Sequence, residues 1–266
     1  MPIIPSLTVA LATYHPMRPF PGEDRPGGHF AGWIESVSRL EIANEILILE
    51  RLDKGNFAYG TGIPKHIDPS CFPLTLAEPD LSMGPPLLAD PRCRIIYEPN
   101  DPPWIDCTRQ PMQELAKNDW VLFLDDDERL SEGMIRWVNG LAQVDPLPDK
   151  DWSVVRFSRD DYIRYRNLWR HIPANGDDPQ IRLVDRRRVT WPGTPHNLPV
   201  VDGLIVDVRG IDTHILHYRE YEKIVKRTAQ TDALFVGSPN LIRMQDDYVR
   251  RVEAMLGVRP DGPGKG

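Results

Sequence analysis

The sequence predicts an α/β fold, and three observations carry that prediction. In the first half, short apolar runs rich in β-branched residues alternate with stretches of helical periodicity. Four consecutive acids, Asp125 to Glu128, follow directly on the most apolar of those runs. The second half changes to closely spaced strand-like segments followed by two charged helices.

The elements follow in order. Leu7 to Thr13 is short, apolar and β-branched at Thr8, Val9 and Thr13, which reads as a buried strand ending at Tyr14-His15-Pro16. Arg18 to Gly28 is a Pro- and Gly-rich loop. Between His29 and Glu41, Phe30, Trp33, Ile34, Val37 and Leu40 recur at amphipathic-helix spacing. Ile46 to Leu49 is a second strand, ending on Glu50, so a right-handed βαβ crossover is expected. Asp53 to Asp90 carries little periodicity, as a functional loop or an insertion does. Arg94 to Tyr97 reads as a strand, and Cys107 to Lys117 as a helix with Pro111 in its first turn. Trp120 to Leu124 is a central strand, and Ser131 is the N-cap of a helix from Glu132 to Gln143.

In the second half Val154–Phe157, Ile181–Val184, Val189–Trp191, Leu204–Val208 and Ile215–Tyr218 read as strands. Helices are expected from Glu220 to Phe235 and from Asn240 to Met255, with a frayed tail from Arg259. Tyr162, Tyr165 and Trp169, three and four apart, fit one core face of a helix. Arg186 to Arg188 read as a solvated hairpin turn. The expected organisation is 1–148, 149–219 and 220–266, with the first division beside Pro146-Leu-Pro148.

Composition bounds the function. With 266 residues, one large or two small domains are expected, and 41% hydrophobic residues exclude a disordered chain. No run of ~18 apolar residues predicts a membrane span. The first residues lack the basic and apolar regions of an ordinary secretory signal. A net charge of −7 argues against general nucleic-acid binding. The three cysteines, Cys71, Cys93 and Cys107, form no C-x-x-C pair, so neither a disulfide framework nor a zinc site is expected, and a reducing cytoplasm fits. Proline, at 27 residues, is unusually abundant and stiffens many loops.

The acids after the fourth strand are the main candidate site, because ligands of open α/β sheets bind beyond the carboxyl ends of strands. Asp125 and Asp127 are placed to reach one hard cation, Mg²⁺ or Mn²⁺, which would neutralise a diphosphate leaving group. The alternative is that the acids only decorate the N-terminus of the following helix, worth ~0.3–1 kcal/mol each, although four adjacent acids also repel.

Several segments resemble glycosyltransferase family 2. Leu7 to Tyr14 is similar to that family's first strand, and Glu45 to Glu50 to its second. The family commonly carries Asp-Asp-Gly-Ser where this chain has Glu50-Arg51-Leu52-Asp53. Thr108-Arg109-Gln110 resembles its helix carrying Ala-Arg-Asn, with Gln110 departing from the pattern. Trp120 to Glu128 is the most specific match, similar to the Asp-x-Asp strand end. Asp178-Pro-Gln-Ile-Arg182-Leu and Trp191-Pro-Gly-Thr-Pro-His196 resemble later segments of members that build bacterial surface glycans. The resemblance covers about residues 7–50 and 94–218.

It implies a GT-A type fold, a Rossmann-like nucleotide-binding sheet continuing into a mixed β-containing acceptor half. It further implies a nucleotide-diphosphate sugar donor, UDP-sugar foremost, with Mn²⁺ or Mg²⁺. Thr13, Tyr14, Glu50, Arg109, Asp125, Asp126 and Arg182 would then contact the nucleotide sugar. Asp127 would be the principal metal ligand, with Asp125, and His196 or His214 as further ligands in the manner of retaining members. His214 and His217, three apart on a strand, face opposite sides, so at most one of them is expected at the metal. Asp178, with Asp177 as its rival, is the candidate general base of an inverting reaction, worth ~10²–10⁴-fold. The acceptor is a glycan, lipid-linked glycan, protein or modified nucleic acid, and the setting cytoplasmic, either free or peripheral at the inner membrane surface. Two other readings stay open. One is a degenerate GT-A domain that only binds. The other is a sugar-phosphate nucleotidylyltransferase, which usually carries a Gly-rich basic loop where this chain has Thr13-Tyr14-His15-Pro16.

Overall fold

The computed structural model describes residues 4–14, 28–52, 90–99, 108–143, 151–166, 168–172, 179–192, 198–209, 212–225 and 239–258. The first strand, β1 (Leu7–Tyr14), forms as the sequence requires. Leu7, Val9 and Leu11 point to one face and Ala10 and Ala12 to the other, each joining a separate apolar cluster. Helix α1 (Gly28–Ser38), ending before the expected Glu41, buries Trp33, Ile34 and Val37 on the first face. Helix α2 (Arg109–Leu115) buries Met112 on the second, with Pro111 in its first turn as expected. A sheet covered on both faces explains why its strands are continuously apolar rather than alternating.

β2 (Ala43–Leu52) and β3 (Cys93–Pro99) lie parallel on one side of β1, and β4 (Trp120–Phe123) lies parallel on the other. The acids lead from β4 into a short strand, β5 (Glu128–Leu130), and then into helix α3 (Glu132–Gly140). Ser131 caps α3 as expected, its Oγ accepting from the Met134 N–H at 3.2 Å.

The second half adds β6 (Trp152–Tyr165), β7 (Leu168–Ile172), β8 (Gln180–Asp185), β9 (Val189–Thr190), β10 (Val200–Val201), β11 (Leu204–Val208) and β12 (His214–Glu220). Helix α4 (Pro239–Leu256) closes the described chain. Residues 221–225 are helical, and the rest of the helix expected to Phe235 lies outside the described residues. Among the described residues ten strands make one sheet along the order β3-β2-β1-β4-β8-β6-β12-β5, with β7 and β11 also on β6; β9 and β10 pair separately. The expected α/β class therefore holds, with parallel strands on one side and mixed pairing on the other. The division expected at residue 148 falls outside the described residues, and the sheet runs from β4 through β8 into β6. Among the described residues no helix is long and apolar enough to cross a membrane.

The helix expected around Tyr162, Tyr165 and Trp169 is not there. β6 runs on to Tyr165, Arg166 turns at φ 50°, and β7 returns antiparallel. Tyr162 sits between its cross-strand neighbours His171 and Tyr218, with ring centroids 4.9 and 5.0 Å away. Tyr165 instead meets Tyr221, so the three aromatics share no single face. Arg186 to Arg188 do form a turn, but its charges are paired. Arg187 binds Asp185 at 2.6 Å, and Arg188 binds Asp151 at 2.8 Å.

One glycine is required by close approach. A Cβ on Gly133 would lie 2.2 Å from the backbone oxygen of Asp212 and 2.6 Å from its carbonyl carbon. Ser131 Oγ bonds the same Asp212 oxygen, tying the start of α3 to the segment before β12. Gly133→Ala is therefore expected to cost about 1–3 kcal/mol of stability. A urea titration matching wild type would show that the contact yields freely.

Candidate functional site

The strand order locates the site. From β1 the chain builds outward through β2 and β3, then returns to place β4 on the other side of β1, so the topological switch point lies between β1 and β4. Ligands of open α/β sheets bind outside the strand carboxyl ends at that point. There Thr13, near the end of β1, donates its Oγ1 hydrogen to Asp126 Oδ2 at 2.9 Å. Glu50 pairs in register with Thr13. The side chains of Tyr14 and Glu50 lie outside the described residues.

The four acids take four different environments. Glu128 is fully buried and bound by both arms of the Arg182 fork, at 2.8 and 2.6 Å. It also accepts the Asp125 backbone N–H at 3.1 Å, which closes the turn. Asp125 faces two cations: Arg109 Nη2 at 2.6 Å on one oxygen and Arg182 Nη2 at 3.1 Å on the other. Burial would raise the Asp125 pKa, but Arg109 and Arg182 hold it below its ordinary value. Among the described residues no arginine bonds Asp126, and Lys223 is the cation whose charge favours its ionised form. Burial first, and then the neighbouring Asp127 and Asp125 charges, push it up to about 7 against the Thr13 hydrogen bond.

Asp127 meets a histidine. β5 pairs antiparallel with β12, setting His217 opposite Glu128, and the Tyr218 N–H donates to the Asp127 carbonyl at 2.8 Å. His217 Nε2 then lies 3.3 Å from Asp127 Oδ2. Its Nδ1 is 2.7 Å from Asp161 Oδ1, on the neighbouring β6. Burial opposes ionisation of Asp161, but the His217 hydrogen bond and charge, Arg159 and Tyr248 bring it to about 2. An ionised carboxylate only accepts, so the hydrogen-bond network assigns the Nδ1 proton to His217. Nε2 is thereby left facing a second carboxylate.

Two acceptors at 3.3 Å need a positive charge between them. Without metal, a proton supplies it: burial would lower the His217 pKa, but Asp127 above all holds it above the ordinary value. A divalent cation fits the same place. Ligand atoms bonded at ~2.1 Å in adjacent positions lie about 3 Å apart. Imidazole and carboxylate are both suitable donors, and a carboxylate on the far nitrogen is the usual support of a metal-bound histidine. Among the described residues no three His, Cys, Asp or Glu side chains gather as a complete metal cage. Magnesium-type sites take only one or two carboxylates and complete their shell with substrate phosphate and water, so a two-donor set suffices.

Of the expected site residues, Thr13, Arg109, Asp125, Asp126, Asp127 and Arg182 come together. Arg182 lies buried beneath the carboxylates, where it anchors them. Both Asp125 oxygens are turned to arginine, so the donors brought face to face are Asp127 and His217. His214 is on β12 three residues away, on the strand face opposite His217. Asp177, Asp178 and His196 lie outside the described residues. From sequence His214 is the expected ligand rather than His217, Glu128 is only one of four acids, and Asp161 carries no signal; the structure brings His217 to Asp127 instead. For His217 a signal existed, since strand parity separates it from His214, but parity alone does not say which of the two turns inward. Gln110, which departs from the family pattern, accepts the Trp191 N–H at 2.9 Å, and Gln113 accepts the indole N–H at 3.1 Å.

The sequence matches no protein-family model and no curated protein. Solved structures with a similar arrangement include 4-diphosphocytidyl-2C-methyl-D-erythritol synthase from Anaerococcus prevotii, at 12% identity and a TM-score of 0.36, covering 68% of this chain and 70% of that one. Residues 1–349 of S. aureus TarS match at 8% identity and 0.45, covering 85% of this chain and 65% of that one. GalNAc-T7, crystallised with UDP, GalNAc and Mn²⁺, matches at 8% and 0.44, covering 81% and 44%. The chain thus spans less than two thirds of the last two, and these likenesses concern the path of the chain alone.

Proposed function

We propose that this chain is a metal-dependent glycosyltransferase of GT-A type, moving a sugar from a nucleotide-diphosphate donor to an acceptor hydroxyl. The observation that carries the reading is the Asp127–His217 pair, set with Asp126 and Thr13 at the mouth between β1 and β4. A divalent ion held by Asp127 and His217 would neutralise the diphosphate as it leaves. Thr13 and Tyr14 would line the nucleotide pocket, with Glu50 toward the base. Asp125, steered by Arg109 and Arg182, is the candidate ribose contact. Arg109 and Arg182 keep that carboxylate ionised and aimed. The acceptor hydroxyl loses its proton to Asp178, or to Asp177, as its oxygen attacks the anomeric carbon.

The test is a thermal-shift panel of nucleoside diphosphates and nucleotide sugars with and without Mn²⁺. A ligand at 100 times its Kd adds ~2.7 kcal/mol. The expected result is a metal-dependent shift with one nucleotide, abolished in Asp127→Asn. Folded protein that responds to no nucleotide would overturn the proposal. Binding without hydrolysis or transfer would leave a domain that binds and does not catalyse.

A further inference from the structure

His217 is held from behind by the last described helix. Asp161 accepts the His217 Nδ1 proton on Oδ1, and its other oxygen, Oδ2, accepts the Tyr248 hydroxyl at 2.7 Å. The direction of that second bond is fixed, because the ionised Asp161 carboxylate only accepts; Arg219 Nη1 donates to the same hydroxyl oxygen at 3.3 Å. Arg219 and Arg251 both lie over the Tyr248 ring, 5.5 Å from its centroid. The helix itself is seated independently of the hydroxyl. Val252 is buried with Ile163, Ile172 and Ile224, and Tyr221 donates to Glu253 at 2.8 Å. With both oxygens engaged, the Asp161 carboxylate has one orientation, and so does the imidazole it holds.

We propose that Tyr248 and Asp161 are positioning residues, through which α4 holds the His217 Nδ1 proton and aims its Nε2 at the Asp127 carboxylate. The proposal rests on the reading of Asp127 and His217 as the metal-binding pair. Outer partners of metal-bound histidines set ligand orientation, and losing one commonly weakens metal binding 10–100-fold. Nothing in the segment Tyr248 to Glu253 resembles a site in sequence, because its contribution passes through two other side chains.

The experiment uses the full chain with Mn²⁺ alone as the probe. Its dissociation constant is read by electron paramagnetic resonance, and the His217 imidazole nitrogens by NMR of ¹⁵N-histidine protein without metal. Tyr248→Phe removes only the hydroxyl, and Asp161→Asn replaces the carboxylate with an amide. Tyr221→Phe cuts a different hydrogen bond to the helix, the one to Glu253, and serves as the control. Expected are about tenfold or greater weakening of Mn²⁺ binding in Asp161→Asn, a smaller weakening in Tyr248→Phe, and altered His217 nitrogen signals in both. Tyr221→Phe is expected to match wild type in both readouts. Unchanged affinity and signals in Tyr248→Phe and Asp161→Asn would overturn the proposal. So would equal weakening in Tyr221→Phe, which would mean that helix docking alone matters. If His217→Ala bound Mn²⁺ as wild type does, the metal reading would fail separately, and the nitrogen signals would still decide whether Tyr248 sets the imidazole.

Discussion

Arg182→Met is expected to destabilise the fold by about 3–5 kcal/mol, the usual cost of stranding one member of a buried ion pair. The reason lies in what remains. Glu128 is fully buried, and Arg182 supplies both of its close charged contacts, at 2.8 and 2.6 Å. The Asp125 N–H at 3.1 Å would be its remaining hydrogen bond in the loop. Arg182 also reaches Asp125 and so links β8 to the turn after β4. The double substitution Arg182→Met with Glu128→Leu separates two roles. Replacing both ions by apolar groups is often neutral or better for stability. The double variant should thus recover most of the loss in urea titrations while nucleotide binding stays impaired, because Asp125 loses one of the two arginines that aim it. A single-variant loss below about 1 kcal/mol would show that water reaches Glu128 and that the pair is not closed.

The limits of reading this sequence follow from the range of the interactions. β1, the helix over Trp33 to Val37, the strand Trp120 to Phe123 and the Ser131 cap all rest on neighbours within a few residues, and local periodicity finds them. β6 does not rest on such neighbours. Its outer half, Ser158 to Tyr165, is polar and is held as a strand by β12 and β7. Tyr162, Tyr165 and Trp169 then have helical spacing without a helix, because a turn at Arg166 resets the count between them. The acids after β4 were legible as a candidate site from position alone. Their division of labour was not, since it depends on which cation each one meets. Arg109, Arg182 and His217 arrive from α2, β8 and β12 through sheet register. A resemblance to family motifs points to Arg109 and Arg182 as site residues. It carries no signal for Glu128 as the buried partner or for Asp161 behind His217.

The last large effect expected is a dependence of stability on pH that one substitution removes. Asp126 ionises at about 7 in the folded protein and at about 4 in an unfolded chain. Between those values the folded state holds a proton that the unfolded state has released, so stability falls as pH rises. His217 acts in the same direction. Its folded value is raised, so its contribution is complete below the unfolded value and is lost as pH climbs through the folded one. Asp161 acts oppositely and at lower pH: its contribution is present above about 4 and is lost as pH falls toward about 2. Comparing wild type with Asp126→Asn isolates the first of these. In the presence of a chelator, the variant should gain on wild type by on the order of 2 kcal/mol between pH 5 and 8.5, nearly all of it below pH 8. Mn²⁺ should shrink that gain, because a cation beside Asp127 relieves the repulsion that keeps Asp126 protonated. A stability difference that stays flat with pH would mean that Asp126 is already ionised at pH 5.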